Sequence, residues 1–149
     1  MSRFDDFMPF IFDWECVKDR KGNVISENDP DDPGGLTKYG IDQRSHPHVD
    51  IRNLTESGAK DIYLREYWQK YGVEDKPRWF GEVYFNCCVN AGSGRAVKIA
   101  AVSGADADKF LDGQEDFYRR LAASKLSLGK FLKGWLNRTT ALRKFIHAH

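Results

Sequence analysis

Residues 29–41 read Asp29-Pro30-Asp31-Asp32-Pro33-Gly34-Gly35-Leu36-Thr37-Lys38-Tyr39-Gly40-Ile41. Between Asn28 and Gly35, two prolines and two glycines exclude helix and inner strand. A plain helical bundle needs no connection this long and this acidic after its first helix, and loops of that length usually carry function. The stretch therefore divides a first helix from a helical remainder and is the first place to look for chemistry.

On its N-terminal side, Phe4, Phe7, Met8, Ile11, Phe12 and Cys16 recur at three- and four-residue steps. That spacing predicts a helix over 3–17 with one apolar face, Pro9 lying in its early turns. The polar run Asp19-Arg20-Lys21-Gly22-Asn23 followed by Val24 and Ile25 predicts a small two-stranded hairpin over 18–27. On the C-terminal side, Thr55 reads as an N-cap, and Ala59, Ile62, Tyr63 and Tyr67 form one face of a helix ending near Gly72. Pro77 opens the next helix, in which Trp79, Val83, Tyr84, Cys87 and Cys88 make it apolar on nearly all sides and central. Further helices are expected at 94–102, 106–125 and 136–147. No internal repeat or low-complexity segment interrupts them. The fold class that results is mainly α, as α+β, with one small β-hairpin after the first helix.

The 149 residues suit one compact domain. With 23 Lys and Arg against 22 Asp and Glu, a polycation built to coat nucleic acid is excluded. The balance is uneven, because residues 117–149 hold eight Lys or Arg and no acid. Such a tail is either a solvated face or an attraction to an anionic wall or membrane surface. No apolar run approaches the roughly 20 residues that span a bilayer. Cys16, Cys87 and Cys88 have no metal-ligand spacing and read as packed, reduced thiols. The histidines, His46, His48, His147 and His149, show no ligand pattern.

Two features carry possible chemistry. Glu15, between Trp14 and Cys16-Val17, is expected to be partly desolvated, which favours the protonated form a general acid needs; the alternative is an exposed helix-end carboxylate. In the loop, several carboxylates stiffened by proline suit holding a water, with Thr37 positioning it. Oxygen ligands for Ca²⁺ are the competing reading, although the EF-hand pattern is absent, and an Asx-turn loop without chemistry is a third. Tyr39, Trp68 and Trp135 are candidate sugar platforms, and Asn90 either bonds an N-acetyl group or caps its helix beside Gly92.

The order Glu15, then the 29–41 string, then Tyr63 to Trp68, resembles the phage and bacterial N-acetylmuramidases of glycoside hydrolase family 108, lysozyme-like peptidoglycan hydrolases once labelled secretion activators. Phe85-Asn86-Cys87-Cys88-Val89-Asn90-Ala91-Gly92 resembles the helical region that follows in that family, often named a peptidoglycan-binding module. The likeness spans about residues 4–145. It implies cleavage of the β-1,4 bond between N-acetylmuramic acid and N-acetylglucosamine, with Glu15 as catalytic acid, Thr37 as the water-positioning threonine and Asp32 as the second carboxylate. Asp29 is the next choice, and with Tyr39, Trp68 and Asn90 it makes the substrate-binding set. The sequence departs from the family where Cys16 and Val17 replace two glycines, where Asn86 replaces an Asp, and where Ile99-Ala100 replaces Leu-Gln.

The expectation is one lysozyme-like domain over 1–149, with a catalytic part at 1–75 and a helical peptidoglycan-binding-like part at 76–149. It takes peptidoglycan as partner and works as a monomer without metal or organic cofactor, nucleic acid or stable membrane insertion. Met1-Ser2-Arg3-Phe4-Asp5-Asp6 does not read as a signal peptide. The chain is therefore expected to be made in the cytoplasm and to reach the wall or periplasm through a holin, on a phage virion or by another secretion apparatus. The rival reading is a catalytically silent wall-binding or virion structural protein on the same fold.

Overall fold

The computed structural model describes residues 2–28 and 35–149. It divides into two compact units, Met1–Glu66 and Tyr67–His149. The second is almost wholly helical, whereas the first holds two helices and a small antiparallel sheet.

The first unit opens with α1 (Arg3–Glu15), whose N-cap Ser2 hydroxyl accepts the Asp5 N–H at 3.1 Å. Phe4, Phe7, Met8, Phe10, Ile11 and Phe12 are buried along it. Pro9 sits inside the helix and removes one N–H that would otherwise meet the Asp5 carbonyl. The helix stops two residues short of the expected 17, because Cys16 is extended and Val17 accepts the Ile25 N–H at 2.9 Å beside a Lys18–Val24 bridge. The expected hairpin over 18–27 is reduced to that one bridge. Its turn is held by the Asp19 carboxylate, which accepts the Lys21 and Asn23 N–H groups at 2.9 Å each.

The ladder lies further on. β1 (Glu27–Asn28), β2 (Leu36–Lys38) and β3 (Ile41–Asp42) form a three-stranded antiparallel sheet in that order. Its register is Glu27 opposite Thr37, Asn28 opposite Leu36, Thr37 opposite Asp42 and Lys38 opposite Ile41. The two ends of the proline-rich loop are thus strand, and the hairpin of the fold is β2–β3 rather than 18–27. After β3, the His46 ring bridges the Asp42 carbonyl, 3.0 Å from Nδ1, and the Glu66 carboxylate, 3.1 Å from Nε2. α2 (Glu56–Tyr63) follows, with its Thr55 cap accepting the Gly58 N–H at 3.1 Å and Ala59, Ile62 and Tyr63 buried. It continues as a π-helical segment, Leu64–Gln69.

In the second unit, α3 (Phe80–Ala91) is buried at every position from Phe80 to Cys88. α4 (Ser93–Ser103) and α5 (Ala107–Ser124) pack on it, and α6 (Leu132–Ala148) packs on α5. α6 begins four residues before the expected 136, because Gly134 lies in its first turn and a 3₁₀ segment, Leu126–Phe131, makes the connection. Two polar residues inside α3 are buried, with Glu82 3.6 Å from Arg78 and the Asn86 carbonyl accepting from Arg138 Nε at 3.0 Å. Asn86, one of the departures from the family pattern, is therefore a core polar contact.

The basic tail is partly spoken for. Arg143 meets Asp108 at 3.0 Å, Asp112 at 2.8 Å and Glu115 at 2.6 Å, and His147 lies 2.9 Å from Asp108. The His147 hydrogen bond, together with the Arg143 charge, holds the Asp108 carboxyl below its ordinary value against the opposing effect of burial. A carboxylate depressed on folding contributes stability above its unfolded value of about 3.9, and that contribution is lost as pH falls through the folded value. The thermal midpoint of the wild type should therefore drop more steeply below about pH 4 than that of Asp108→Asn, as a denaturation series against pH would read.

Candidate functional site

The candidate site is built from the last turn of α1 and the tip of the β2–β3 hairpin. Lys38 faces Ile41, so the loop between the strands is only Tyr39-Gly40. Both residues have positive φ, 56° and 78°, which is the two-residue turn whose twist matches paired strands. Tyr39 is the only non-glycine with positive φ among the described residues, and an aromatic residue adopts that region at a cost.

Three contacts hold it there. The Tyr63 hydroxyl donates to the Tyr39 carbonyl at 2.8 Å, the Tyr39 ring tilts against Phe12 at 5.5 Å, and Phe12 meets Tyr63 edge-on at 6.0 Å. Phe12 lies one helical turn before Glu15, so the same aromatic group fastens the hairpin tip to the end of α1.

Glu15 is the last residue of α1 and half-buried. Its side chain lies directly against Gly40. A Cβ built on that glycine would fall 2.9 Å from Glu15 Cβ, 3.0 Å from Glu15 Oε2 and 2.5 Å from the Tyr63 hydroxyl. Only a glycine lets the backbone come this close. Trp14 and Val17 near it are each 38% exposed, and the hairpin turn covers one side of the Glu15 side chain.

Beside it, a cavity of about 420 Å³ is lined by Phe12, Asp13, Cys16, Tyr39, Glu56 and Lys60 among others. Glu15 is not among the described residues that line it. Burial first, then the neighbouring acids, push the Cys16 thiol up to about 11, with Lys18 opposing. Burial likewise raises Cys88 to about 12 and Cys87 still higher. Protonated thiols of this kind are poor nucleophiles, which argues against Cys-based acyl transfer. Among the described residues no group of three or more His, Cys, Asp or Glu side chains is placed to hold a metal ion.

Of the residues singled out in the sequence, Glu15, Thr37 and Tyr39 belong to this unit. Thr37 is the middle residue of the central strand, half-buried, with its hydroxyl 3.5 Å from the Gly35 carbonyl. Directly opposed partners share a face of the sheet, so Glu27, Thr37 and Asp42 line one face. Asp42 accepts the Ser45 N–H at 3.0 Å. Asp29 and Asp32 lie outside the described residues.

Trp68 is corrected from sugar platform to core. It is 2% exposed, its indole N–H donates to Glu74 at 2.7 Å, and its ring meets Phe85 edge-on at 5.2 Å. A buried face has nothing left for a pyranose. Asn90 donates to the Tyr118 hydroxyl, which also accepts from Gln114 at 2.9 Å. Trp135 stacks between Tyr118 at 5.0 Å and Phe131 at 5.9 Å.

Gly40, Tyr63 and Phe12 were not singled out in the sequence as site residues. The signal for Gly40 was there: an x-Gly pair between two short apolar-polar runs is a hairpin turn. Replacing Tyr63 by Phe removes a part-buried hydrogen bond, which should cost about 1 kcal/mol. If Tyr63 positions the hairpin against Glu15, kcat falls several-fold with KM little changed, and steady-state kinetics beside thermal denaturation separate that from simple destabilisation.

Comparison with known proteins gives the family and the fold. The family model described as Glycosyl hydrolase 108 matches residues 9–92, more than half the chain and all of the candidate site. A solved structure described as that of Brucella abortus SagA is similar in fold, with a TM-score of 0.72 at 24% identity, covering 97% of this chain and 94% of that one. No curated protein matches. The mainly α fold is thus shared with a solved structure, and a polysaccharide substrate follows from the family. The chain belongs to glycosyl hydrolase family 108, which makes it a glycoside hydrolase of the general peptidoglycan-degrading kind.

Proposed function

We propose that this chain is a muramidase that cleaves the β-1,4 bond between N-acetylmuramic acid and N-acetylglucosamine, with Glu15 as general acid. The observation that carries the reading is the seating of Glu15, half-buried at the end of α1 and pressed against the Tyr39-Gly40 turn. An acid held by rigid neighbours on two elements keeps one geometry towards a glycosidic oxygen. Protonated Glu15 donates to that oxygen as the bond breaks, while water attacks the anomeric carbon from the opposite face. Thr37 and a loop carboxylate, Asp32 before Asp29, hold that water, and the carboxylate takes the proton it loses as it attacks. Tyr39, at the edge of the neighbouring cavity, offers a ring to the sugar.

This division of labour is that of an inverting glycosidase. The first-formed product therefore carries the inverted anomer, readable by proton NMR within the first minutes of reaction, and a retained anomer contradicts the water-attack scheme. Release of reducing ends from purified peptidoglycan tests the activity itself. A chain that pelleted with cell walls yet released no reducing sugar would be the silent wall-binding protein instead.

A further inference from the structure

The second unit holds a cavity of about 460 Å³ between α4 and α5 that the hydrolase reading leaves unused. Its floor is carbon. Ile99 and Phe117 line it, and Val102 stands in its wall 91% exposed. Gly113 brings α5 close to α4 there, since a Cβ at that position would come within 3.0 Å of the Ile99 side chain.

The rim is cationic. Arg95 and Lys98 come from α4, Lys109 and Arg120 from α5. Two carboxylates also line the groove, but each already faces a cation outside it: Asp112 meets Arg143 at 2.8 Å and Asp116 meets Arg119 at 3.6 Å. Arg95 lies over the Phe117 ring at 3.9 Å. Among the described residues, Lys98, Lys109 and Arg120 are in no ion pair with a carboxylate.

We propose that this groove binds an acidic peptide, its carboxylates on the cationic rim and its small apolar side chains on the Ile99–Phe117 floor. The two halves of the lining choose that chemistry together. A neutral sugar would leave Lys98, Lys109 and Arg120 without a counter-charge, and a bare polyphosphate would make no use of the apolar floor. Peptidoglycan carries such a ligand, because its stem peptides combine alanine methyl groups with free carboxylates. That identification rests on the function proposed above, whereas the chemistry of the groove does not.

The test uses the full chain and the synthetic tetrapeptide L-Ala-γ-D-Glu-meso-diaminopimelate-D-Ala, with a fully amidated version as control. Calorimetric titration should detect the free acid and find it weakened by added salt and by amidation. The double variant Lys98→Glu, Arg120→Glu should lose about tenfold or more in affinity, both positions being on the protein surface. NMR shifts on titration should concentrate at Ile99, Val102, Gly113 and Phe117. Hydrolysis of glycan strands stripped of their peptides should be unchanged in the double variant.

Absence of binding to the acid, equal binding of the amidated peptide, or full affinity in the double variant overturns the proposal. Peptide binding by a chain that releases no sugar would instead sink the muramidase reading and leave this one standing.

Discussion

Glu15→Gln is expected to lower the rate of peptidoglycan hydrolysis by about 10²–10⁴-fold, the usual contribution of a positioned proton donor. Gln keeps the shape of Glu and its contact with Gly40 but has no proton of suitable acidity to give. Because Glu15 is half-buried at a helix end, folding stability should change by no more than about 1 kcal/mol. The two readouts together make the result informative: a large loss of rate with an unchanged melting temperature assigns Glu15 to the chemistry. A variant that keeps most of its activity returns Glu15 to the ordinary helix-end carboxylate that composition alone permits.

Gly40→Ala is expected to damage both stability and activity, for two separable reasons. The φ of 78° disfavours any residue with a Cβ. The added methyl would also sit 2.5 Å from the Tyr63 hydroxyl and 2.9 Å from Glu15 Cβ, so either the hairpin tip or the end of α1 must give way. Strain and displacement of this kind cost about 2–4 kcal/mol together. Gly35→Ala is the control, because Gly35 also has positive φ, 71°, but a methyl group there would meet none of the described residues within 4 Å. The control should lose only the backbone part of the stability and keep Glu15 where it is. Activity lost at Gly40 and kept at Gly35, per folded molecule, ties the turn to the position of the acid. Equal effects at both would make Gly40 a matter of backbone conformation alone.

Much of the helical frame was legible because amphipathic spacing and caps are local. Thr55, the face Ala59, Ile62 and Tyr63, and the all-round apolar run of α3 follow directly from side-chain periodicity. What escaped was non-local. The strands are two or three residues long, too short for alternation to register, and their pairing joins residues across the loop, as Glu27 with Thr37. Helix α1 ends early because Val17 finds a partner in Ile25, which no helical pattern records.

The site divides in the same way. Glu15 and Thr37 drew attention by residue type and resemblance, whereas Gly40 matters through an atom it lacks and Tyr63 through a hydrogen bond made 24 residues away. Trp68 illustrates the opposite error, since an aromatic residue chosen for its flat face has that face occupied by the core.

The measurement that tests the central claim most directly is the identity of the new reducing end. Purified peptidoglycan is digested with the wild-type chain, the products are reduced with borohydride, and the reduced sugar is identified by mass spectrometry. Muramitol with N-acetylglucosamine at the non-reducing end, formed by the wild type and absent with Glu15→Gln, is the predicted result. Glucosaminitol in its place, or soluble fragments with no reduced sugar at all, would contradict it.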